Sequence, residues 1–168
     1  MTPHVLFLCT GNAARSVMAG VMLDASGLAV RVTTAGTHVV EHQPVSIRTR
    51  LALDSVGLHA SAHRSRQITD ADVVVADLIV AMAGEHVSYV RRRHPEGADR
   101  TATLRYLVDQ LADGSTPLRE RVLALDLSGV DPPGQGDVAD PAGGDDQDYV
   151  DCAHELSGLI GALVPRLL

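Results

Sequence analysis

The chain has 168 residues, a formal net charge of −7, three Tyr, one Phe, no Trp and no Lys. This length is typical of a single domain, expected over residues 1–168, with an aliphatic core. The acidic balance argues against nucleic acid or an anionic membrane surface as a partner. Two cysteines, Cys9 and Cys152, are too few for a disulfide framework, and the N-terminus lacks the pattern of a signal peptide, so a cytoplasmic protein is expected.

Short apolar runs alternate along the chain with segments that have helical spacing. Strands are predicted at residues 4–8, 30–34, 77–82 and 101–104, and helices at 15–23, 46–56, 84–93 and from about 146 onward. Strands that alternate with helices form right-handed crossovers and a parallel sheet. The expected fold class is therefore α/β, with about four parallel strands and helices on both faces. The Pro/Gly-rich loop at 128–137 has no predicted role.

The loop after the first predicted strand carries the clearest chemical signal. Its sequence is Cys9-Thr10-Gly11-Asn12-Ala13-Ala14-Arg15-Ser16, and it leads into a predicted helix. A loop in this position can turn its backbone N–H groups inward and bind an anion, aided by the helix dipole. The guanidinium of Arg15 matches two phosphoryl oxygens, and a thiolate at Cys9 is stabilised by nearby positive charge. The loop therefore predicts phosphoryl transfer through a cysteinyl-phosphate.

This loop resembles the Cys-x-Gly-Asn-x-Cys-Arg-Ser signature of the low-molecular-weight protein tyrosine phosphatases. Further segments that resemble the family follow in the same order: Thr34–Thr37, His63–Thr69, Asp77–Met82 and Asp140–Gly144. The resemblance covers nearly the whole chain. It implies a phosphate-binding loop after the first strand and hydrolysis of a phosphorylated protein or small phosphomonoester without a cofactor.

The resemblance also implies a role for each matching residue. Cys9 would attack phosphorus, and Asp140 would serve as general acid and base, a contribution of roughly 10²–10⁴-fold. Equatorial oxygens would be bound by the Arg15 guanidinium and by the backbone amides of Thr10, Gly11, Asn12, Ala13, Ala14 and Arg15. Ser16 would assist Cys9 as a leaving group, and the loop would be braced by Asn12, Thr34 and His63. From the residues alone, Asp140 cannot be separated from Asp137.

Three features depart from the family pattern and bear on the substrate. The second cysteine of the signature is Ala14, so oxidised Cys9 has no neighbouring thiol to pair with. Ala13 replaces the bulkier residue that accompanies phosphotyrosine preference. Aromatic wall residues are replaced by Val39-Val40 and Ala142-Gly143, which removes stacking of about 0.5–1.5 kcal/mol per pair. The family default is phosphotyrosine, whereas residues 81–86 and the Asp-Pro-x-Gly-Gly segment resemble the protein arginine phosphatase branch.

Other functions remain open at this stage. Arsenate reduction would need an external thiol, since Cys152 is the only other cysteine. A phosphate-binding module without turnover is disfavoured by the joint presence of Cys9, Arg15 and Asp140. The His38/His42 and His59/His63 pairs have metal-ligand spacing but lack helical context and further ligands, so no metal is expected.

Overall fold

The computed structural model describes residues 1–60 and 62–168. Its strands are β1 (His4–Cys9), β2 (Arg31–Gly36), β3 (Leu78–Ala81) and β4 (Thr101–Thr103). Its α-helices are α1 (Arg15–Ala25), α2 (Ile47–Ser55), α3 (Asp70–Val75), α4 (Gly84–Arg93), α5 (Leu104–Gln110), α6 (Leu118–Leu123) and α7 (Asp146–Leu163). Short 3-10 turns lie at Pro95–Arg100, Leu127–Gly129, Pro132–Gln135 and Val164–Arg166.

The four strands form one parallel sheet in the order β2-β1-β3-β4. Successive residues of β1 contribute to opposite faces, as the two-residue period of a strand requires. Val5 and Phe7 belong to one buried cluster, and Leu6 and Leu8 belong to a second cluster. The predicted α/β fold, a single domain with a four-stranded parallel sheet, is confirmed.

Helices cover both faces of the sheet, as expected. The larger cluster takes residues from α1, α2, α5, α6 and α7, and α7 packs against α1 and α2. The smaller cluster takes Val73 from α3 and Val90 from α4. Among the described residues, no helix combines the length and apolar character needed to cross a membrane.

The order of the strands explains where a site can form. β1 lies between β2 and β3, so the chain leaves β1 toward one side and later returns to the other. The carboxyl end of such a strand opens a crevice at which ligands bind in parallel α/β sheets. Cys9 is the last residue of β1 and lies at this crevice.

Candidate active site

The predicted nucleophile and its predicted helper lie in hydrogen-bond contact. Cys9 is buried, and its Sγ lies 3.0 Å from Oγ of Ser16, in the first turn of α1. Nδ2 of Asn12 donates to the same Ser16 oxygen at 3.0 Å. Because that oxygen already accepts a hydrogen bond from Asn12, the hydroxyl proton of Ser16 is free to be donated to the Cys9 sulfur.

The phosphate loop, residues 9–16, has its backbone carbonyl groups tied to the surrounding structure. Main-chain oxygens of four loop residues accept hydrogen bonds of 2.9–3.0 Å: Cys9 from Thr37 N–H, Thr10 from His38 N–H, Asn12 from His63 Nε2 and Ala13 from the Thr49 hydroxyl. The hydrogen bonds of the described residues include none donated by the main-chain N–H groups of residues 11–14. Because the carbonyl groups are bonded to residues outside the loop, the N–H groups of residues 11–14 are available to bind an anion inside it.

Asn12 braces the loop from within. Its φ of 51° is left-handed, a conformation that Asn tolerates better than most residues. Nδ2 donates to Oγ1 of Thr34 at 3.0 Å as well as to Ser16, while Oδ1 accepts the Arg66 backbone N–H at 3.0 Å. The structure therefore brings Asn12 and Thr34 together around Ser16.

Two supports of the loop lie outside the residues singled out in the sequence. The Thr49 hydroxyl reaches Ala13 from α2, and the end of β2 approaches the loop at Gly36. A Cβ atom on Gly36 would lie 2.4 Å from the Thr10 carbonyl oxygen, so only glycine fits there. Gly36 stands in the Thr34–Thr37 segment that resembles the family, whereas nothing in the sequence pattern marks Thr49.

The guanidinium of Arg15 is buried at the mouth of the loop and has three oxygen partners among the residues that the structure describes. Nη1 donates to the Val138 carbonyl at 3.0 Å, and Nη2 lies 3.3 Å from Oδ2 of Asp140 and 3.5 Å from Oγ1 of Thr10. Asp140 is half-exposed, and its Oδ1 accepts the Ala142 backbone N–H at 3.0 Å. The predicted phosphate-binding cation and the predicted acid are thus in contact across the loop.

The structure separates the two aspartates that the sequence left equivalent. Oδ1 of Asp137 accepts the backbone N–H of Gly84 at 2.8 Å, at the start of α4. Asp140 instead faces Arg15. Asp137 therefore accepts a hydrogen bond at the start of α4, and Asp140 is the aspartate that contacts Arg15.

A buried histidine that was not among the predicted site residues adjoins the loop. His86 is 1% exposed, Nδ1 accepts the Ala83 backbone N–H at 3.1 Å, and Nε2 lies 2.9 Å from Oγ1 of Thr10. Burial, followed by the nearby charge of Arg15, lowers the pKa of His86 to about 4. Burial also lowers the pKa of His63. Both rings are therefore uncharged at neutral pH.

The side chains around the loop are short and apolar at the positions where the sequence predicted a loss of aromatic residues. Ala13, Val40 and Ala142 are exposed at these positions. The rings of His38 and Tyr89 pack edge to face at 5.4 Å and line a cavity of about 130 Å³ beside Thr10.

Among the described residues, the remaining candidates for chemistry make no side-chain hydrogen bond to Cys9, Arg15 or Asp140, although Cys152 lines a cavity together with Asp140. Cys152 is buried on α7, and burial, with a contribution from Glu155, raises the pKa of its thiol to about 12. Potential metal ligands are grouped once among the described residues, at Asp70, His94 and Glu96, beyond the far end of α4. The histidines at 38, 42, 59 and 63 all lie outside helices.

Comparison with known proteins places the chain in a family. Residues 4–121 match the model of the low molecular weight phosphotyrosine protein phosphatases. A protein-arginine-phosphatase of Geobacillus stearothermophilus is 33% identical over 99% of this chain and 97% of its own. A probable low molecular weight protein-tyrosine-phosphatase, EpsP, of Ralstonia nicotianae is 30% identical over 75% of this chain and 86% of its own. The crystal structure of a low molecular weight protein tyrosine phosphatase from T. tengcongensis aligns with a TM-score of 0.77, at 32% identity over 97% of this chain and 98% of that one.

The chain therefore belongs to the low molecular weight phosphotyrosine protein phosphatase family. It is a hydrolase of that type, and phosphorylated protein is the class of substrate on which the family acts.

Proposed function

We propose that this protein hydrolyses phosphotyrosine on proteins in two steps, with Cys9 as the nucleophile. The observation that carries the proposal is the convergence of Cys9, Ser16, Arg15 and Asp140 at the carboxyl end of β1. No metal enters the proposed reaction, because the charges that it needs are supplied by side chains and backbone amides.

In the first step, the Cys9 thiolate attacks phosphorus, and the bond between phosphorus and the oxygen of the leaving group breaks. The free amides of the loop and the Arg15 guanidinium stabilise the equatorial oxygens, where negative charge is concentrated. Incoming phosphate competes with Asp140 for Nη2 of Arg15, since that atom is only 3.3 Å from the carboxylate. Asp140, in its protonated form, then donates its proton to the leaving oxygen.

In the second step, Asp140 accepts a proton from water as the water attacks the cysteinyl-phosphate. The Cys9–phosphorus bond breaks and the sulfur leaves as a thiolate. Ser16 is the group placed to stabilise it, because its hydroxyl lies 3.0 Å from Sγ and its oxygen is held by Asn12. Thr34 and His63 support this step indirectly through Asn12, the former by its side chain and the latter at the backbone.

Phosphoarginine is the second candidate substrate, favoured by two observations. The relative that is similar over 99% of this chain is named a protein-arginine-phosphatase. The short side chains at Ala13 and Ala142 also offer a phenol ring little surface to stack on.

The test measures phosphate release from a phosphotyrosine peptide and a phosphoarginine peptide of otherwise equal sequence. Wild-type, Cys9→Ala and Asp140→Ala proteins are compared. We expect turnover of the phosphotyrosine peptide that is lost in Cys9→Ala and reduced in Asp140→Ala. Release from the phosphoarginine peptide alone would replace the first candidate with the second, and turnover that survives Cys9→Ala would contradict both.

Three further parts of the proposal concern context. We propose that residues 1–168 act as one phosphatase domain, because Leu167 still belongs to the larger buried cluster. A reducing, cytoplasmic location suits a reaction that needs Cys9 as a free thiol. Arsenate reduction is a lesser alternative. It would need an external thiol, since burial raises the pKa of the Cys152 thiol and makes it a poor thiolate for an internal relay. Thiol-dependent formation of arsenite would support that alternative.

A further inference from the structure

We propose that His86 is a positioning residue that orients the Arg15 guanidinium through the hydroxyl group of Thr10. The inference rests on the function proposed above, because Arg15 is the phosphate-binding cation of that function. Within the described structure, the hydrogen bond to Thr10 is the contact through which the His86 ring would act on the phosphate loop.

The backbone decides which nitrogen of His86 carries the proton. The Ala83 N–H can only donate, so Nδ1 of His86 must accept. In the neutral ring the proton then lies on Nε2, which faces Oγ1 of Thr10 at 2.9 Å. His86 therefore donates to the Thr10 hydroxyl oxygen, which is closer to Nε2 than Oε1 of Glu85, at 3.4 Å.

The Thr10 hydroxyl is in turn oriented as an acceptor for Arg15. Its oxygen lies 2.9 Å from the His86 donor and 3.5 Å from Nη2 of Arg15, and both partners donate. Its single proton is left to point toward Oε1 of Glu85, also at 3.5 Å. Without the His86 bond, the hydroxyl could rotate and aim its proton toward the guanidinium instead.

The segment that holds His86 also sets a second acceptor of the guanidinium. The Met82 carbonyl accepts the Val138 N–H at 2.7 Å, and the Val138 carbonyl accepts Nη1 of Arg15 at 3.0 Å. Residues 82–86, at the end of β3 and the start of α4, thus control two of the three oxygens around Arg15 in the described structure. A guanidinium fixed before phosphate arrives needs no reorganisation on binding.

Two substitutions of His86 separate this function from a purely structural one. In His86→Asn, the amide oxygen can replace Nδ1 and keep the Ala83 bond, but the side chain is too short to reach Thr10. In His86→Gln, the longer amide places a donor near the position of Nε2. The steady-state constants of each variant are measured with the preferred phosphopeptide, together with the dissociation constant of inorganic phosphate.

We expect kcat/KM to fall and phosphate to bind more weakly in His86→Asn, each by about 5- to 10-fold, as loss of one hydrogen bond predicts. His86→Gln should stay within about twofold of wild type for both quantities. If the only role of His86 were to accept the Ala83 N–H at the start of α4, His86→Asn would keep more activity and phosphate affinity than His86→Gln, because Asn preserves the bond to Ala83. Equal phosphate affinity in wild type and His86→Asn would overturn the inference.

A double-mutant cycle with Thr10→Val tests the path of the effect. Because Thr10→Val removes the hydroxyl, adding His86→Asn to it should cause no further loss, whereas additive losses would overturn the inference. His4→Asn is the matched control, because His4 is a buried histidine at the opposite end of β1 and should leave phosphate affinity unchanged. An inactive wild-type protein would refute the proposed function, and phosphate affinity would still decide the role of His86.

Discussion

At the scale of single residues, the amide of Asn12 decides where the Ser16 proton goes. In Asn12→Asp, the carboxylate can still accept the Arg66 N–H, but it cannot donate to Ser16 or Thr34. The Ser16 hydroxyl would donate to this carboxylate rather than to Cys9. We expect kcat/KM to fall roughly 10- to 100-fold, in line with one buried polar contact left unsatisfied, while circular dichroism stays native. Activity within twofold of wild type would contradict the assigned role of Asn12.

Ala14 gives a second prediction at this scale, about oxidation. Cys9 oxidised by peroxide forms a sulfenic acid, and no thiol stands beside it in the loop to form a protective disulfide. Inactivation of wild type should therefore be poorly reversed by added thiol, whereas Ala14→Cys should recover more activity. The measurement is activity after peroxide and then dithiothreitol, and equal recovery in the two proteins would refute this prediction.

At the scale of elements, the loop between the 3-10 turn at Pro132–Gln135 and α7 contains two aspartates with separate tasks. Asp140→Asn removes the proposed acid and should lower kcat by roughly 10²–10⁴-fold with little change in melting temperature. Asp137→Ala leaves the Gly84 N–H at the start of α4 without its acceptor and should cost about 1–3 kcal/mol of unfolding free energy. Denaturant unfolding and steady-state kinetics on both variants check this contrast, and a reversed pattern would exchange the two assignments.

The same elements show what a sequence can predict. β1 was predicted from a short apolar run, and the long α7 from a continuous helical spacing, because both signals are visible in the local sequence. The helix α7 begins at Asp146, as expected. Helices α3, α5 and α6 were missed because six or seven residues are too few to show a period. Contacts such as Thr49 to Ala13 and His86 to Thr10 were also missed, since they join residues 36 and 76 positions apart.

At the scale of the whole molecule, three histidines make the free energy of unfolding depend on pH. Burial lowers the pKa of His4, His63 and His86, the last to about 4. The unfolded chain therefore binds more protons than the folded one below pH 6.5, so stability is complete above that pH and falls toward pH 4.

His86 should supply about 2–3 kcal/mol of that loss between pH 6.5 and 4.5. Urea unfolding at several pH values should show a shallower decline for His86→Gln than for wild type. His59→Gln is the control, because His59 is exposed, and it should decline as wild type does. Parallel curves for His86→Gln and wild type would contradict the burial of an uncharged His86.

The central claim is that phosphate passes through the sulfur of Cys9. Asp140→Asn should slow the second step, so acid quenching during turnover followed by peptide mass spectrometry tests the claim most directly. We predict that the peptide containing Cys9 gains the mass of one phosphoryl group on sulfur, and that Cys9→Ala gives neither this species nor turnover. Steady phosphate release without phosphorylated Cys9 at any time would contradict the mechanism.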